Sequence, residues 1–329
     1  MAGDRDLAVA FAAAWGARVG RPLAGWEATA ATGVRGLRLV NESAAFERFL
    51  LTEANDEAVR VLRENATPWP AARVRLHDAR HPPDGGPFDY VDLDPYGSPA
   101  PFVEAALAVL RPGGALAVTA TDMMVLAGVQ RGACQRRYGA RPIRGRLGPE
   151  GALRILLAYL ARAARDHGRR VRPLLAYVRD HHVRAYVEVA DALPNDSPDP
   201  IAVVRPDEWN GPTLGAGAPF GPLWLGPLFD PVLVGALTSP AIAARPAEVQ
   251  RFLARLVEES AADVPFYFEA NRLAAELSLP RPPALASMLA GLRAEGFRAA
   301  RTHARAEGFR TDAPRSSVES LARRLAAAG

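Results

Sequence analysis

The chain has 329 residues, enough for about two domains. Apolar residues make up 49% and charged residues 23%, the balance of a folded globular protein rather than a disordered or fibrous one. All 40 basic residues are arginine, against 36 acids, so the net charge is only +4 and its distribution says more than its sum. A single cysteine, Cys134, excludes an internal disulfide and a cysteine-rich zinc site. No apolar run reaches the ~18–20 residues that span a bilayer. Leu7–Ala17 is apolar, but Asp4, Arg5 and Asp6 before it are net negative where a secretory signal needs a positive start. The segment reads as a buried or amphipathic helix, and the protein as cytoplasmic.

Residues 7–19 predict a helix. Trp26–Ala30 is a short strand that runs into the turn-prone Ala30-Ala31-Thr32-Gly33-Val34-Arg35-Gly36. Phe46–Thr52 is a second strand, closed by Glu53. In Asp56–Asn65, Ala58, Val59 and Leu62 share a helical face, and Asn65 with Pro68 ends it. Arg73–Leu76 is a third strand, ending at His77-Asp78, and Phe88–Leu93 a fourth, ending at Asp94-Pro95-Tyr96-Gly97. Pro101–Leu110 is a helix with Pro101 in its first turn and Pro112-Gly113-Gly114 beyond its end. Ala115–Thr121 is a fifth strand. Strands alternating with helices predict a parallel sheet covered on both faces.

After a helix over Gly151–His167 the pattern changes. Val171–Arg179 and Val183–Ala190 are joined only by Asp180-His181-His182, which predicts an antiparallel hairpin at one sheet edge. A seven-stranded α/β sheet with that edge resembles the Rossmann-like class I methyltransferase fold. Residues 191–231 are rich in Pro, Gly and Asp and place a domain boundary near 200–220, dividing 1–200 from 201–329. The second part reads as a smaller, mostly helical α+β domain, with helices near 246–259, 268–277, 284–295 and 317–328 around a basic segment.

In open α/β sheets, ligands sit beyond the carboxyl ends of the strands. Four candidates lie there. The small residues around Gly33 let the backbone turn sharply and approach a ligand. Glu53, at the end of the next strand, can accept from both ribose hydroxyls of a nucleoside cofactor. Asp78, followed by Ala79, can accept from an adenine exocyclic amine. Asp94-Pro95-Tyr96-Gly97-Ser98-Pro99 suits methylation of an exocyclic amine on a base. The lone pair of such a nitrogen is delocalised into the ring. An acceptor at Asp94 orients the amine and takes its proton as charge develops. Tyr96 offers a flat face for the base.

Residues 131–184 hold 14 arginines and three acids (Glu150, Asp166, Asp180), leaving the rest of the chain net negative. A basic zone beside a predicted site suits a polyanion, and arginine forks phosphate oxygens. Arg136, Arg137, Arg141 and Arg144 are the expected contacts. The six histidines form no metal-binding spacing, so no metal is expected.

From Asp92 to Pro99, and at Val118-Thr119-Ala120-Thr121-Asp122, the chain resembles the tRNA (guanine-26-N2)-dimethyltransferase family. Further similar stretches are Ala31–Arg38, Arg136-Arg137-Tyr138-Gly139, Glu150 with Arg154, and Asp180–Arg184. Gly221–Leu228, Arg301-Thr302-His303 and Arg310–Pro314 extend the resemblance to nearly the whole chain. The resemblance implies a methyltransferase that uses S-adenosylmethionine on the N2 amine of a guanine in tRNA. It implies cofactor contacts from Arg5, Gly33, Arg35, Glu53, Asp78 and Ala79, catalysis at Asp94, and a base facing Tyr96. It also implies a C-terminal domain that grips tRNA, with Arg301 and Arg310 as its expected contacts.

The sequence departs from the family pattern in places. Members carry an aromatic loop ahead of an Asn-Arg-Asp motif, whereas Asp4-Arg5-Asp6 follows Met1 by three residues, so that loop is expected to be missing. Tyr96 stands where phenylalanine is common, and His182 where tyrosine is. Two other readings stay open on the residues: a catalytically impaired RNA-binding homologue, and an amino methyltransferase of another nucleic acid. Oligomeric state is not legible.

Overall fold

The computed structural model describes residues 2–214, 217–238 and 245–327. In chain order, α1 (Ala2–Val19) precedes β1 (Leu23–Glu27), α2 (Val34–Glu42), β2 (Phe46–Glu53), α3 (Asp56–Ala66), β3 (Ala72–Leu76) and β4 (Phe88–Leu93). Then come α4 (Val103–Val109), β5 (Leu110–Ala120), α5 (Met123–Leu126), α6 (Arg131–Tyr138), α7 (Gly148–Asp166) and the hairpin β6 (Arg169–Arg179) and β7 (His182–Asp191). The seven strands form one sheet in the order β3-β2-β1-β4-β5-β7-β6. The first five run parallel, and β7 pairs antiparallel with both β5 and β6. This is the sheet the alternation predicted, with the hairpin on its edge.

Every residue of β4 is buried, as expected of a central strand with both faces covered. One face is closed by α1, whose Phe11 ring stacks 4.1 Å from Tyr186 on β7. The other is closed in part by α7, where Leu153, Ile155, Leu156 and Leu157 are fully buried. The chain order reverses between β1 and β4. Their carboxyl ends therefore splay and leave a crevice, the usual ligand position in such sheets.

Several expectations shift. α1 begins at Ala2 rather than at residue 7, so Asp4 and Arg5 sit on a helix. Val34–Glu42 is a helix where only a turn was expected. Its start follows Gly33 at φ +81°, a conformation that favours glycine, and a Cβ there would lie 2.4 Å from Leu62. The strand β5 begins at Leu110 and takes in Pro112-Gly113-Gly114, which the reading placed after the helix.

The Pro/Gly-rich stretch contains a two-stranded sheet, β8 (Ile201–Val204) with β9 (Phe220–Trp224), followed by α8 (Pro231–Ala236) and α9 (Ala247–Ser260). β9 packs on α7, and α8 and α9 pack on α1 with α8 reaching β6, so one continuous apolar core runs from Leu7 to Tyr267. A second core begins at Phe268. It holds β10 (Phe268–Glu269), α10 (Ala270–Glu276), α11 (Leu285–Ala294), β11 (Ala299–Arg301), β12 (Gly308–Thr311) and α12 (Arg315–Ala327). Its strands form an antiparallel sheet, β10-β12-β11. The division in packing thus falls later than the composition shift near 200–220.

Candidate active site

A cleft of about 600 Å³ opens at the carboxyl ends of β1, β2, β4 and β5. Its lining includes Arg5, the Thr29–Thr32 turn, Arg35, Glu53, Asp94 and Tyr96. Glu53 is anchored by backbone amides. Its Oε1 accepts from Ala54 and Asn55 at 2.9 and 3.0 Å, and its Oε2 from Ala31 at 2.9 Å. A carboxylate has about four acceptor positions, so this oriented group can take another donor. Gly33 lies behind the lining and shapes the turn.

The segment after β4 is clamped to its neighbours. Gly97, at φ +90°, donates its N–H to Thr121 Oγ1 at 2.7 Å, and the Thr121 N–H returns to the Gly97 carbonyl at 2.9 Å. Ser98 donates to the Tyr138 hydroxyl (2.7 Å), which donates to Asp122 (2.9 Å). The Tyr96 ring on this turn is fully exposed at the cleft. Asp94 is only 21% exposed.

Beneath Asp94 lies a buried charge network. Tyr90, Asp92 and Asp94 alternate along β4 and its extension, so they share one face. Arg184 on β7 forks Asp92 at 2.6 and 3.2 Å. Arg184 also donates to Thr119 Oγ1 at 2.6 Å and to the Tyr186 hydroxyl at 2.8 Å. The Tyr90 hydroxyl donates to Asp92 at 2.8 Å. Arg35 spans the gap, 3.3 Å from Asp92 and 2.6 Å from Asp94. Burial would push the Asp92 carboxyl up, but the Arg184 and Arg35 guanidiniums hold it below the usual carboxylate range. Glu27, at the end of β1, is buried beside the charges of Asp92 and Asp94 and is pushed up to about 8. It accepts from the Gly36 N–H at 3.0 Å.

The sequence reading expected Arg35 at the cofactor. The structure brings it into the cleft but commits its guanidinium to the two aspartates. Asp78 and Ala79 do not line the cleft. Ala79 is buried, and the Asp78 carboxylate is forked by Arg80 at 2.5–3.0 Å, which holds it below its ordinary range. Glu27, Asp92, Thr119 and Arg184 were not singled out as site residues. The signal was present: a charged residue inside an apolar strand needs a buried partner, and Asp92 and Arg184 are each such a residue.

Among the expected RNA contacts, Arg136 and Arg144 are exposed, and Arg137 is half exposed while pairing with Asp122 at 3.2 Å. Arg141 and Arg301 are partly buried. Arg310 is a correction. It is fully buried and ion-paired with Glu150 (2.8 Å) and Glu259, so it cannot reach a phosphate. Arg154 donates to the same Glu150 oxygen at 2.8 Å and to the Trp224 carbonyl at 2.8 Å. Glu259 also accepts from Thr302 and His303, and the His303 ring accepts from the Val178 N–H of β6. Arg301-Thr302-His303 and Arg310 thus bind the two cores together.

Comparison with known proteins agrees with this architecture. The model of the N2,N2-dimethylguanosine tRNA methyltransferase family matches residues 1–196 and 215–323. A tRNA (guanine(26)-N(2))-dimethyltransferase of Pyrobaculum calidifontis is 33% identical over 338 residues, covering 98% of this chain and 89% of the relative. One from Thermococcus kodakarensis is 34% identical over 325 residues, covering 88% and 83%. The solved structure of Trm1 from Pyrococcus horikoshii in complex with S-adenosyl-L-methionine superimposes with a TM-score of 0.85 at 26% identity, covering 98% of this chain and 92% of that one. Among the described residues no helix is long and apolar enough to cross a membrane. The resemblance read from Asp92–Pro99 is borne out, and the chain belongs to the N2,N2-dimethylguanosine tRNA methyltransferase family, whose members are S-adenosylmethionine-dependent enzymes.

Proposed function

We propose that the protein methylates the exocyclic N2 of guanine 26 in tRNA, with Asp94 accepting the amine's proton and Tyr96 stacking on the base. One juxtaposition carries this reading. A recessed carboxylate and a fully exposed ring stand two residues apart on a clamped turn at the cleft. The amine lone pair is delocalised, so the nitrogen attacks only when its N–H is held and drawn away. Asp94 accepts that N–H, turns the nitrogen toward the methyl donor and receives the proton as positive charge develops. Tyr96 supplies a stacking surface worth ~1–3 kcal/mol for one base.

The cleft fits S-adenosylmethionine. Its volume of about 600 Å³ lies in the range of cofactor sites. The backbone-anchored Glu53 has acceptor capacity for ribose hydroxyls, and Arg5 offers a cation for a carboxylate. When bound, the cofactor supplies an electrophilic methyl group on a sulfonium. Arg136 and Arg144 are exposed and can pair with tRNA phosphates.

The test is methyl transfer from labelled S-adenosylmethionine to unmodified tRNA transcripts, with mass analysis of the nucleosides. N2-methylated guanosine at one position is expected. Asp94→Ala should lose ~10³-fold or more in kcat, with S-adenosylhomocysteine binding retained. Undiminished turnover in Asp94→Ala removes Asp94 from the chemistry. Binding of tRNA by wild-type protein with neither cofactor binding nor transfer would favour the RNA-binding reading. A product only on other nucleic acids would favour the third.

A further inference from the structure

We propose that Arg35, seated on the buried Asp92–Arg184 pair, is a positioning residue that fixes the Asp94 carboxylate for proton acceptance. The inference rests on the reading of Asp94 given above. A carboxylate at a strand end rotates freely about its Cβ–Cγ bond, since that torsion is broad and two-fold. Its oxygens therefore have no preferred direction unless something holds one of them. Arg35 holds Oδ2 at 2.6 Å, which leaves Oδ1 to meet the amine from a set direction.

Arg35 in turn needs an anchor, because a long side chain gains nothing by tethering a carboxylate if it moves itself. Its second carboxylate, Asp92, is fully buried and cannot shift: Arg184 forks it and the Tyr90 hydroxyl caps it. Arg184 is fixed by Thr119, its register partner across β5 and β7, and by Tyr186, over whose ring it lies at 4.6 Å. The chain of contacts Tyr186–Arg184–Asp92–Arg35–Asp94 thus runs from the sheet interior to the cleft. Its charges cancel, two arginines against two aspartates. A buried pair with no further role could be replaced by apolar residues at little cost. This one ends on the group proposed to take the proton.

The test measures kcat, KM for both substrates and calorimetric binding of S-adenosylhomocysteine for Arg35→Gln, Asp92→Asn and Arg184→Lys beside Asp94→Asn, in the full chain. Arg35→Gln should lose ~10²-fold in kcat at saturating cofactor and tRNA, the scale of a misplacement near 1 Å. Asp92→Asn, which keeps the shape but loosens Arg35, should lower kcat in the same way; it serves as the independent variant if Arg35→Gln does not fold. Arg184→Lys, which keeps one charged contact to Asp92, should retain more kcat than Asp92→Asn. A folded Arg35→Gln or Asp92→Asn with wild-type kcat overturns the positioning role, as does a cofactor-binding loss in Asp92→Asn, which lies outside the cleft lining, that matches its kcat loss. If Asp94→Asn itself keeps wild-type kcat, the underlying reading of Asp94 fails instead.

Discussion

Two buried charge networks stand in this molecule and end differently. Under the cleft, Arg184, Asp92 and Arg35 are buried, but the series finishes at Asp94, which is 21% exposed. Between the two cores, the side chains of Glu150, Arg154, Arg310, Glu259 and His303 are each at most 1% exposed, so the network stays inside. Both have paid desolvation costs through ion pairing. The closed network has no surface left to offer a ligand, so its work is to hold α7, α9 and the C-terminal sheet in one arrangement. The open one carries interior rigidity to a carboxylate that a substrate can reach. An arginine's place in such a network, rather than its presence in a basic stretch, decides whether it meets RNA.

The comparison can be broken at the closed end first. Arg310→Gln leaves Glu150 and Glu259 buried with one cation fewer, and should lower the unfolding free energy by ~3–5 kcal/mol in urea titration. The kcat of the folded variant should stay within about two-fold of wild type. Unchanged stability with lost tRNA affinity would return Arg310 to the RNA-binding surface and dissolve the contrast. At the open end, Tyr96→Ala should weaken kcat/KM for tRNA by ~1–3 kcal/mol, with Tyr96→Phe near wild type and cofactor affinity unmoved. An equal loss in Tyr96→Phe would assign the effect to the hydroxyl rather than to stacking.

The effect most thinly spread, over several pH units, concerns Glu27, which borders the open network. Its carboxyl titrates near 8 in the fold and near 4.5 in the unfolded chain, because burial and the neighbouring aspartates disfavour its charge. Between these values the unfolded state releases the proton first. The contribution to stability is complete below about 4.5 and falls as pH rises toward 8, by ~1.4 kcal/mol per pH unit. Glu27→Gln can still accept from the Gly36 N–H, so it should remove that slope and gain on wild type as pH rises. Parallel stability curves for the two proteins would show that Glu27 is charged in the fold.

Strand ends were the most legible part of the site. Glu53 and Asp94 each close an apolar run, and a polar residue closing such a run marks the edge of a buried sheet. The helix Val34–Glu42 was hidden because Gly33 and Gly36 read as turn residues. Gly36 instead lets the helix lie against Leu51, from which a Cβ would stand only 2.3 Å away. The sheets β8-β9 and β10-β12-β11 were missed because strands of two to five residues are too short for alternation to show.

Alone, the sequence determined the alternating sheet with its hairpin edge, the carboxylates at its strand ends and the family to which they belong. These follow from local periodicity and from motifs a few residues long, which need no knowledge of distant neighbours. The tertiary structure decided which charges are partnered. Arg310 meets Glu150 across 160 positions and Arg184 meets Asp92 across 92. Such pairings are set by how the layers pack. That is why one arginine of a basic motif became a joint between cores, and why Arg35, expected at the cofactor, stands against Asp94.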